Sequence, residues 1–480
     1  MRTIWDVVHE QARRDPEATA AVAEQRYSYR ELVGHAAGLS EVIGRRVERG
    51  SLVALDLDSP LSGAVAILAA ARAGCPVLPL NRQSPPEHRG RILTDARPSL
   101  VVRATAECAF EVTEPEYVPE ADGAPDADGA MADVAYVLYT SGSTGAPKGV
   151  MVGHTALLDR LSGLARTPGL TAGESMVAMT SLSFDISMAE MLLPLTVGAR
   201  LLVAPADARL DPDVFVDFLD AHAPDVVQAT PSFWRLVTTG TWSGAPGSRV
   251  WCGGEALTPA LARQLVPACK ELWNLYGPTE ATIWATAALI GADGPITLGS
   301  PLPDTFACLD TEGHGGTDEG EILLYGAGLA KGYLRRPRLT SERFCHHRTP
   351  HGRTLVYRTG DRARRNTDGS LVFLGRDDGQ IKLRGHRIEL GEIESVLEEH
   401  PDVSQAVALL CDGDRPDRAF ITVFVVAAAE RTCEAAVKEW LRDRLPPSHT
   451  PARVSVLPDL PRTAAGKVDR MALAGGEAVR

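Results

Sequence analysis

The chain has 480 residues, 44% of them hydrophobic and 23% charged, which fits a globular enzyme of two or more domains with a large core. A formal net charge of −13 excludes a general nucleic-acid-binding surface, because a phosphate backbone demands a basic footprint. No apolar run approaches a membrane span, "MRTIWDVVHEQARRD" is an amphipathic start rather than a signal peptide, and the eight cysteines are scattered without a C-x-x-C pair, so a reduced, cytoplasmic protein with no membrane partner is expected.

In chain order, Ile4, Trp5, Val8 and Ala12 share one helical face and predict an opening helix. Residues Ser51–Asp58 alternate like a strand, Gly63–Gly74 reads as a helix ended by glycine, and "PVLPL" follows as another strand. Further strands are expected at Ala135–Thr140, Arg200–Ala204, Val226–Thr230, Arg249–Gly253 and Glu271–Tyr276, with helices between several of them. Repeated strand–helix–strand grammar implies mostly parallel sheets covered by helices. The stretch Pro119–Asp133, rich in Ala, Gly and Asp, reads as an exposed acidic loop. Near "GRDDGQIKLRGHRIELGEIE" (Gly375–Glu394) the grammar changes. A helix at Gly391–His400, strands at Ser404–Leu410 and Ala419–Val426, a helix at Cys433–Leu445 and a short strand at Arg453–Leu457 make a compact α+β unit.

Chemistry concentrates in a few short stretches. "YTSGSTGAPKG" (Tyr139–Gly149) has the vocabulary of a phosphate loop. It is not a Walker loop, which puts Gly directly before its Lys and a hydroxyl directly after it. Here Pro147 precedes Lys148 and Gly149 follows, so the Mg²⁺-binding hydroxyl is missing. "SFDIS" (Ser183–Ser187) sets an acid beside an aromatic, and "NLYGPTE" (Asn274–Glu280) gathers Tyr276, Gly277, Thr279 and Glu280. "EILLYGAGLAKGYL" (Glu321–Leu334) reads as a strand leading into a Gly-rich turn, "YRTGDR" (Tyr357–Arg362) places Asp361 behind a turn, and "TAAGKVDR" (Thr463–Arg470) presents Lys467 on a small-residue loop. Each alone has an ordinary explanation: Asp185 as a helix cap, Asp361 as a turn acid, Lys467 as a solvated lysine.

Together, and in this order, these motifs resemble the adenylate-forming superfamily, most closely the stand-alone adenylation domains of nonribosomal peptide synthetase type. The resemblance runs from "YSYREL" (Tyr27–Leu32) to "GKVDR" (Gly466–Arg470). It implies an α/β fold: a large N-terminal domain of helix-covered sheets (1–377) and a small, mobile α+β C-terminal domain (378–480) hinged at Asp378. It also implies two reactions. An amino acid and MgATP first give an aminoacyl-adenylate and pyrophosphate; a phosphopantetheine thiol on a carrier protein then takes the aminoacyl group.

By the same resemblance, Thr140, Ser141, Gly142, Ser143, Thr144, Gly145 and Lys148 hold the phosphates, and Lys467 stabilises charge at the transferring centre. Glu280 holds Mg²⁺, and Asp361 accepts hydrogen bonds from the ribose. Tyr276 offers a face for adenine, and Gly254, Asn274, Gly277, Thr279 and Arg376 complete the ATP site. Gly385 faces the site in the thiolation state. The amino-acid pocket implied is Asp185, Ile186, Ala189, Gln228, Trp251, Gly253, Leu275, Ile283, Trp284 and Lys467. Asp185 pairs with an α-ammonium, because a partly desolvated carboxylate needs a cation. The string looks most like those of glycine-activating domains, and two tryptophans leave little volume for a side chain. Ala189 and Trp251 depart from that pattern. Gln228 is either a handle for a polar substituent or structural filling.

The chain stops about ten residues after "GKVDR", too few for another domain, so a separate peptidyl carrier protein acting in trans is expected. An MbtH-like protein is a further partner that the resemblance allows. Three alternatives remain in view. Asp185 argues against an acyl- or aryl-CoA ligase of the same fold, and the pocket pattern against a D-alanine–carrier protein ligase. Intact Lys467, Glu280, Asp361 and Lys148 argue against a non-catalytic nucleotide-binding relative.

Overall fold

The computed structural model describes residues 1–115, 131–141, 147–292, 294–311, 318–376, 380–413, 415, 418–428, 433–462 and 468–475. Gly142, Ser143, Thr144, Gly145, Asp378 and Lys467 lie outside the described residues, as does most of the acidic stretch before the phosphate loop. The chain divides into two compact units. One comprises residues 1–82, 93–139 and 149–377; the other comprises 83–92, 140–148 and 378–480.

The first unit follows the expected grammar. Its nine-stranded sheet contains six neighbouring parallel strands: Cys269–Tyr276, Ala245–Gly253, Val226–Ala229, Ser175–Ala178, Arg200–Val203 and Thr19–Val22. A seven-stranded sheet has Val77–Pro79, Val53–Asp56 and Leu100–Ala106 running parallel at its centre. The helices Pro60–Ala73 and Ile186–Val197 are buried on nearly every side. That is the fate of a helix apolar all round its circumference. The first of them begins three residues earlier than expected, because Ser59 caps it by accepting from the Ser62 N–H at 3.3 Å; Gly74, at φ +76°, ends it.

A third sheet departs from the expectation of parallel strands. Thr305–Asp310, Glu319–Gly326, Gly352–Arg365, Phe344–Thr349 and Leu371–Arg376 form an antiparallel five-stranded sheet. Its alternation is masked by charges that pair across strands. Arg358 reaches Glu321 at 2.5 Å and Asp310 at 2.9 Å.

In the second unit, the charge-rich stretch at its start is a hairpin, Gln380–Leu383 with His386–Glu389. Arg384 and Gly385 form its two-residue turn with φ of +52° and +80°. Positive φ at both positions is the type I′ geometry, which favours glycine. The helix Leu390–Glu398 and the helix Glu434–Arg444 pack on a three-stranded sheet of Val403–Cys411, Phe420–Ala427 and Arg453–Leu457. Ile388, Ile393, Val423, Val437 and Leu441 are at the centre of that core.

Candidate active site

Strand pleating sorts the first unit's candidate residues. Gln228 pairs in register with Trp251, and Gly253 with Leu275. Side chains alternate along a strand, so these four share one face of the nine-stranded sheet, while Asn274 and Tyr276 belong to the other. All six sit near the ends of their parallel strands, where ligands bind in open α/β sheets.

The face that carries the residues expected to form the acid pocket is densely packed. Ile186, Ala189, Gln228, Trp251, Leu275, Ile283 and Trp284 are all buried. A Cβ built on Gly253 would stand 2.6 Å from Cη2 of Trp284 and 2.6 Å from the Leu275 carbonyl oxygen, so the indole occupies the space that a side chain there would need. Gln228 does not present a loose amide. Its Oε1 accepts from Trp284 Nε1 at 2.8 Å, and its Nε2 donates to Glu190 at 3.0 Å and to the Ile186 carbonyl at 3.3 Å. Of the two readings of Gln228, this arrangement favours structural filling. Asp185 stands at the N-cap of the helix Ile186–Val197, but its side chain makes no capping hydrogen bond, so capping does not explain this acid. It is half-buried, and its charge, together with burial, helps raise the pKa of the buried Tyr136 phenol.

Two consecutive β-branched residues, Thr282 and Ile283, adopt φ of +59° and +66°. Such a pair costs roughly 1–3 kcal/mol per residue and persists only where its surroundings enforce it. Arg160 supplies part of that constraint. Its buried guanidinium donates to the carbonyls of Thr282 at 2.9 Å and Ala281 at 3.1 Å, and burial pulls its pKa down to about 10. Gly277 admits the returning chain, since a Cβ there would lie 2.6 Å from the Ile283 carbonyl oxygen. Gly254, at φ +86°, turns the chain after the strand Ala245–Gly253.

On the other face, Asp361 is 1% exposed. It accepts from the Tyr276 hydroxyl at 2.6 Å and from Arg376 at 2.5 Å, while its own N–H donates to Thr359 Oγ1 at 3.0 Å. Arg376 also donates to the Thr359 carbonyl at 3.1 Å. Asp361 and Arg376 face each other in register across two antiparallel strands. Burial, and then the Asp361 charge, push the Tyr276 phenol far above its ordinary pKa, so it stays a donor. Asn274 donates to the Thr297 carbonyl at 2.8 Å.

Glu280 lies in the short turn Thr279–Ala281, fully buried, and accepts from the Tyr333 hydroxyl at 2.9 Å. Among the described residues there is no group of three or more His, Cys, Asp or Glu side chains that could hold a metal. A single carboxylate suits Mg²⁺, which takes its other ligands from water and phosphate oxygens, so Glu280 fits that ion. In the second unit, Ser141 is buried and donates to the Arg387 carbonyl at 2.9 Å, and Lys148 is 4% exposed. Thr140 Oγ1 is buried with no hydrogen-bond partner among the described residues.

Glu190, Arg160, Tyr333 and Thr359 were not singled out from sequence. Glu190 had a visible signal, an acid inside the apolar run "ISMAEMLLPL". Two cavities of about 540 and 510 Å³ elsewhere in the first unit contain none of the candidate residues. All eight cysteines are free, and among the described residues no helix is long and apolar enough to cross a membrane.

The AMP-binding enzyme family model matches residues 8–334, and the AMP-binding enzyme C-terminal domain model matches residues 392–467. Phosphinothricin tripeptide synthetase PhsC of Streptomyces viridochromogenes is 38% identical over 98% of this chain and 45% of its own length. A crystal structure of a holo four-domain nonribosomal peptide synthetase bound to AMP and glycine is 33% identical, with a TM-score of 0.70, covering 99% of this chain and 36% of that one. The structure of holo-PA1221, a protein containing adenylation and PCP domains bound to a vinylsulfonamide inhibitor, superposes at a TM-score of 0.82 with 25% identity, over 98% of this chain and 84% of that one. The chain spans less than half of the length of the first curated relatives it matches.

Proposed function

Because the chain belongs to the AMP-binding enzyme family and is an ATP-dependent, AMP-forming ligase of nonribosomal peptide synthetase adenylation type, we propose that it activates a small amino acid, glycine foremost, and passes it to the phosphopantetheine thiol of a carrier protein. The observation that carries this reading is the pairing of a buried, closely packed set of candidate pocket residues with a half-buried carboxylate, Asp185, at the head of the helix that supplies Ile186 and Ala189. A cationic α-ammonium is the ligand that makes such a carboxylate favourable. On this reading the buried Trp251, Trp284 and Leu275 wall the pocket, which favours an acid with little or no side chain. The related synthetase structure that contains AMP and glycine supports the same choice.

The division of labour follows the residues. Asp185 orients the ammonium, which points the substrate carboxylate at the α-phosphate of ATP. Asp361, held by Tyr276 and Arg376, takes the ribose hydroxyls; a carboxylate has about four acceptor sites, so it can bind them without giving up both existing partners. Glu280 would hold Mg²⁺, which supplies charge neutralisation on the phosphate oxygens. Thr140, Ser141 and Lys148, with Gly142 to Gly145, attend the departing pyrophosphate. Lys467 neutralises charge where the carboxylate attacks, and rotation at Asp378 replaces Lys467 with Gly385 for thiol transfer. On this reading residues 1–377 are the substrate-binding domain and 378–480 the mobile one.

Amino-acid-dependent ATP–pyrophosphate exchange over a substrate panel, run on wild type, Lys467→Ala and Asp185→Ala, tests this. Glycine-dependent exchange is expected in wild type and lost in Lys467→Ala. In Asp185→Ala the amino-acid KM should rise far more than the ATP KM. Exchange with aryl or fatty acids and no amino acid would overturn the reading.

A further inference from the structure

We propose that Glu190 is a positioning residue for substrate choice: acting through Gln228, it fixes the Trp284 indole as the wall that closes the acid pocket. The proposal deepens the reading above and rests on its pocket assignment. It assigns control of acid size to a side chain outside that pocket set.

The polarity of the relay is fixed by donor inventory. An indole N–H can only donate, so the Gln228 atom 2.8 Å from Trp284 Nε1 must be the oxygen. The amide NH₂ then faces Glu190 Oε1 at 3.0 Å. Both Glu190 oxygens meet donors. Oε2 accepts from the N–H groups of Met179 at 3.0 Å and Thr180 at 2.9 Å, and Oε1 also takes the Thr180 hydroxyl at 2.6 Å. An acceptor-only carboxylate is the group that satisfies such a set. Glu190, Gln228 and Trp284 are 0%, 1% and 1% exposed, so water does not compete for these bonds.

The opposite edge of the indole lies close against Gly253. Its Cη2 and Cζ3 would lie 2.6 and 2.9 Å from a Cβ on Gly253. The backbone leading into Trp284 is held by Arg160 through the Thr282 and Ala281 carbonyls. The ring is therefore held at its N–H and at its attachment, with its far edge close against Gly253. Gln228 has both ends of its amide engaged in this arrangement, so a polar substituent on the acid gains nothing from it.

Glu190→Gln keeps the shape and reverses one end. Its single oxygen goes to the two backbone N–H groups, leaving an NH₂ against Gln228. Gln228 must then turn its oxygen toward that NH₂, which sets its own NH₂ against the indole N–H. The wall loses its hydrogen bond. The expected result is a loss of about tenfold or more in the glycine-to-alanine ratio of kcat/KM, the scale of one buried hydrogen bond, with an unchanged ATP KM.

The double variant Glu190→Gln with Gln228→Glu restores an acceptor facing the indole and a donor–acceptor match within the pair, at the loss of the 3.3 Å bond to the Ile186 carbonyl. It should recover part of the lost ratio, which a merely structural role of Glu190 does not predict. It also serves as the test protein if the single variant folds poorly. Pyrophosphate exchange on the three proteins reads the outcome. An unchanged ratio in folded Glu190→Gln, or no recovery in the double variant, overturns the relay. Absence of amino-acid-dependent exchange in wild type overturns the pocket assignment instead, so the two failures are distinct.

Discussion

Replacing Asp361 with Asn removes one charge from a buried cluster and leaves its shape. The carboxylate is 1% exposed and its partner Arg376 side chain 10% exposed, joined at 2.5 Å, with the Tyr276 hydroxyl 2.6 Å from the other oxygen. The substituted amide can still accept from Tyr276, but the guanidinium loses this counter-charge in a site nearly closed to water. Removing one member of such a buried pair costs on the order of 3–5 kcal/mol. Replacing Arg376 by Met in the same chain removes the second charge as well. The double variant Asp361→Asn/Arg376→Met should therefore be more stable than the sum of the single variants predicts, by at least about 1 kcal/mol of coupling. ATP use responds differently, because the ribose hydroxyls lose a charged acceptor in both proteins. Denaturant unfolding measures the first effect and the ATP KM in pyrophosphate exchange the second. Stability should recover in the double variant while the ATP KM stays raised. Additive stabilities would refute the buried pair, and an unchanged ATP KM in Asp361→Asn would refute the ribose role.

Gly253→Ala should destabilise the first unit by about 1–3 kcal/mol and raise the glycine KM, because the new methyl meets a pinned indole and a carbonyl oxygen at 2.6 Å; thermal unfolding and exchange kinetics measure both. Glu280→Gln keeps an acceptor for the Tyr333 hydroxyl, so it should fold, yet raise the Mg²⁺ concentration for half-maximal exchange by about tenfold or more. An unchanged Mg²⁺ requirement would remove Glu280 from the metal site. His154 is 2% exposed and its pKa is lowered from 6.5 by burial. The unfolded chain therefore takes up the proton first as pH falls. The His154 contribution to stability is complete above about pH 6.5 and is lost as pH falls through the folded-state value, with a slope of at most about 1.4 kcal/mol per pH unit. Unfolding curves of His154→Gln should show a shallower acid slope than wild type; identical slopes would refute the assignment.

Much of the first unit was legible because its parallel strands are short apolar runs punctuated by glycine and proline. The helix before Gly74 and the strand ending at Gly253 are examples. In the antiparallel sheet across residues 305–376 the strand at Glu321 was legible, whereas the strand it pairs with was not, because that partner carries Arg358 and Arg362 where a simple alternation would have been apolar or neutral. Those charges are matched by residues on neighbouring strands, which a linear reading does not reveal. The hairpin Gln380–Glu389 was hidden for the same reason, and Gly385 there has a local cause in its turn geometry as well as its proposed role in thiolation.

The pocket positions came through resemblance, whereas their fine arrangement depends on non-local pairing. Gln228 meets Glu190 across 38 residues of chain and Trp284 across 56. Glu190 was the one new participant with a signal in the sequence, since a carboxylate inside an apolar helix must find donors or be costly. Arg160 had none, because its partners are backbone carbonyls that sequence does not distinguish.

Identifying the adenylate that the protein makes shows whether it activates a small amino acid. The protein, ATP and Mg²⁺ are mixed with all proteinogenic amino acids plus representative aryl and fatty acids. A single turnover is quenched in acid and the adenylates are weighed by mass spectrometry. Glycyl-adenylate should dominate in wild type and vanish in Asp185→Ala. An aryl- or fatty-acyl-adenylate without any aminoacyl-adenylate would contradict amino-acid activation.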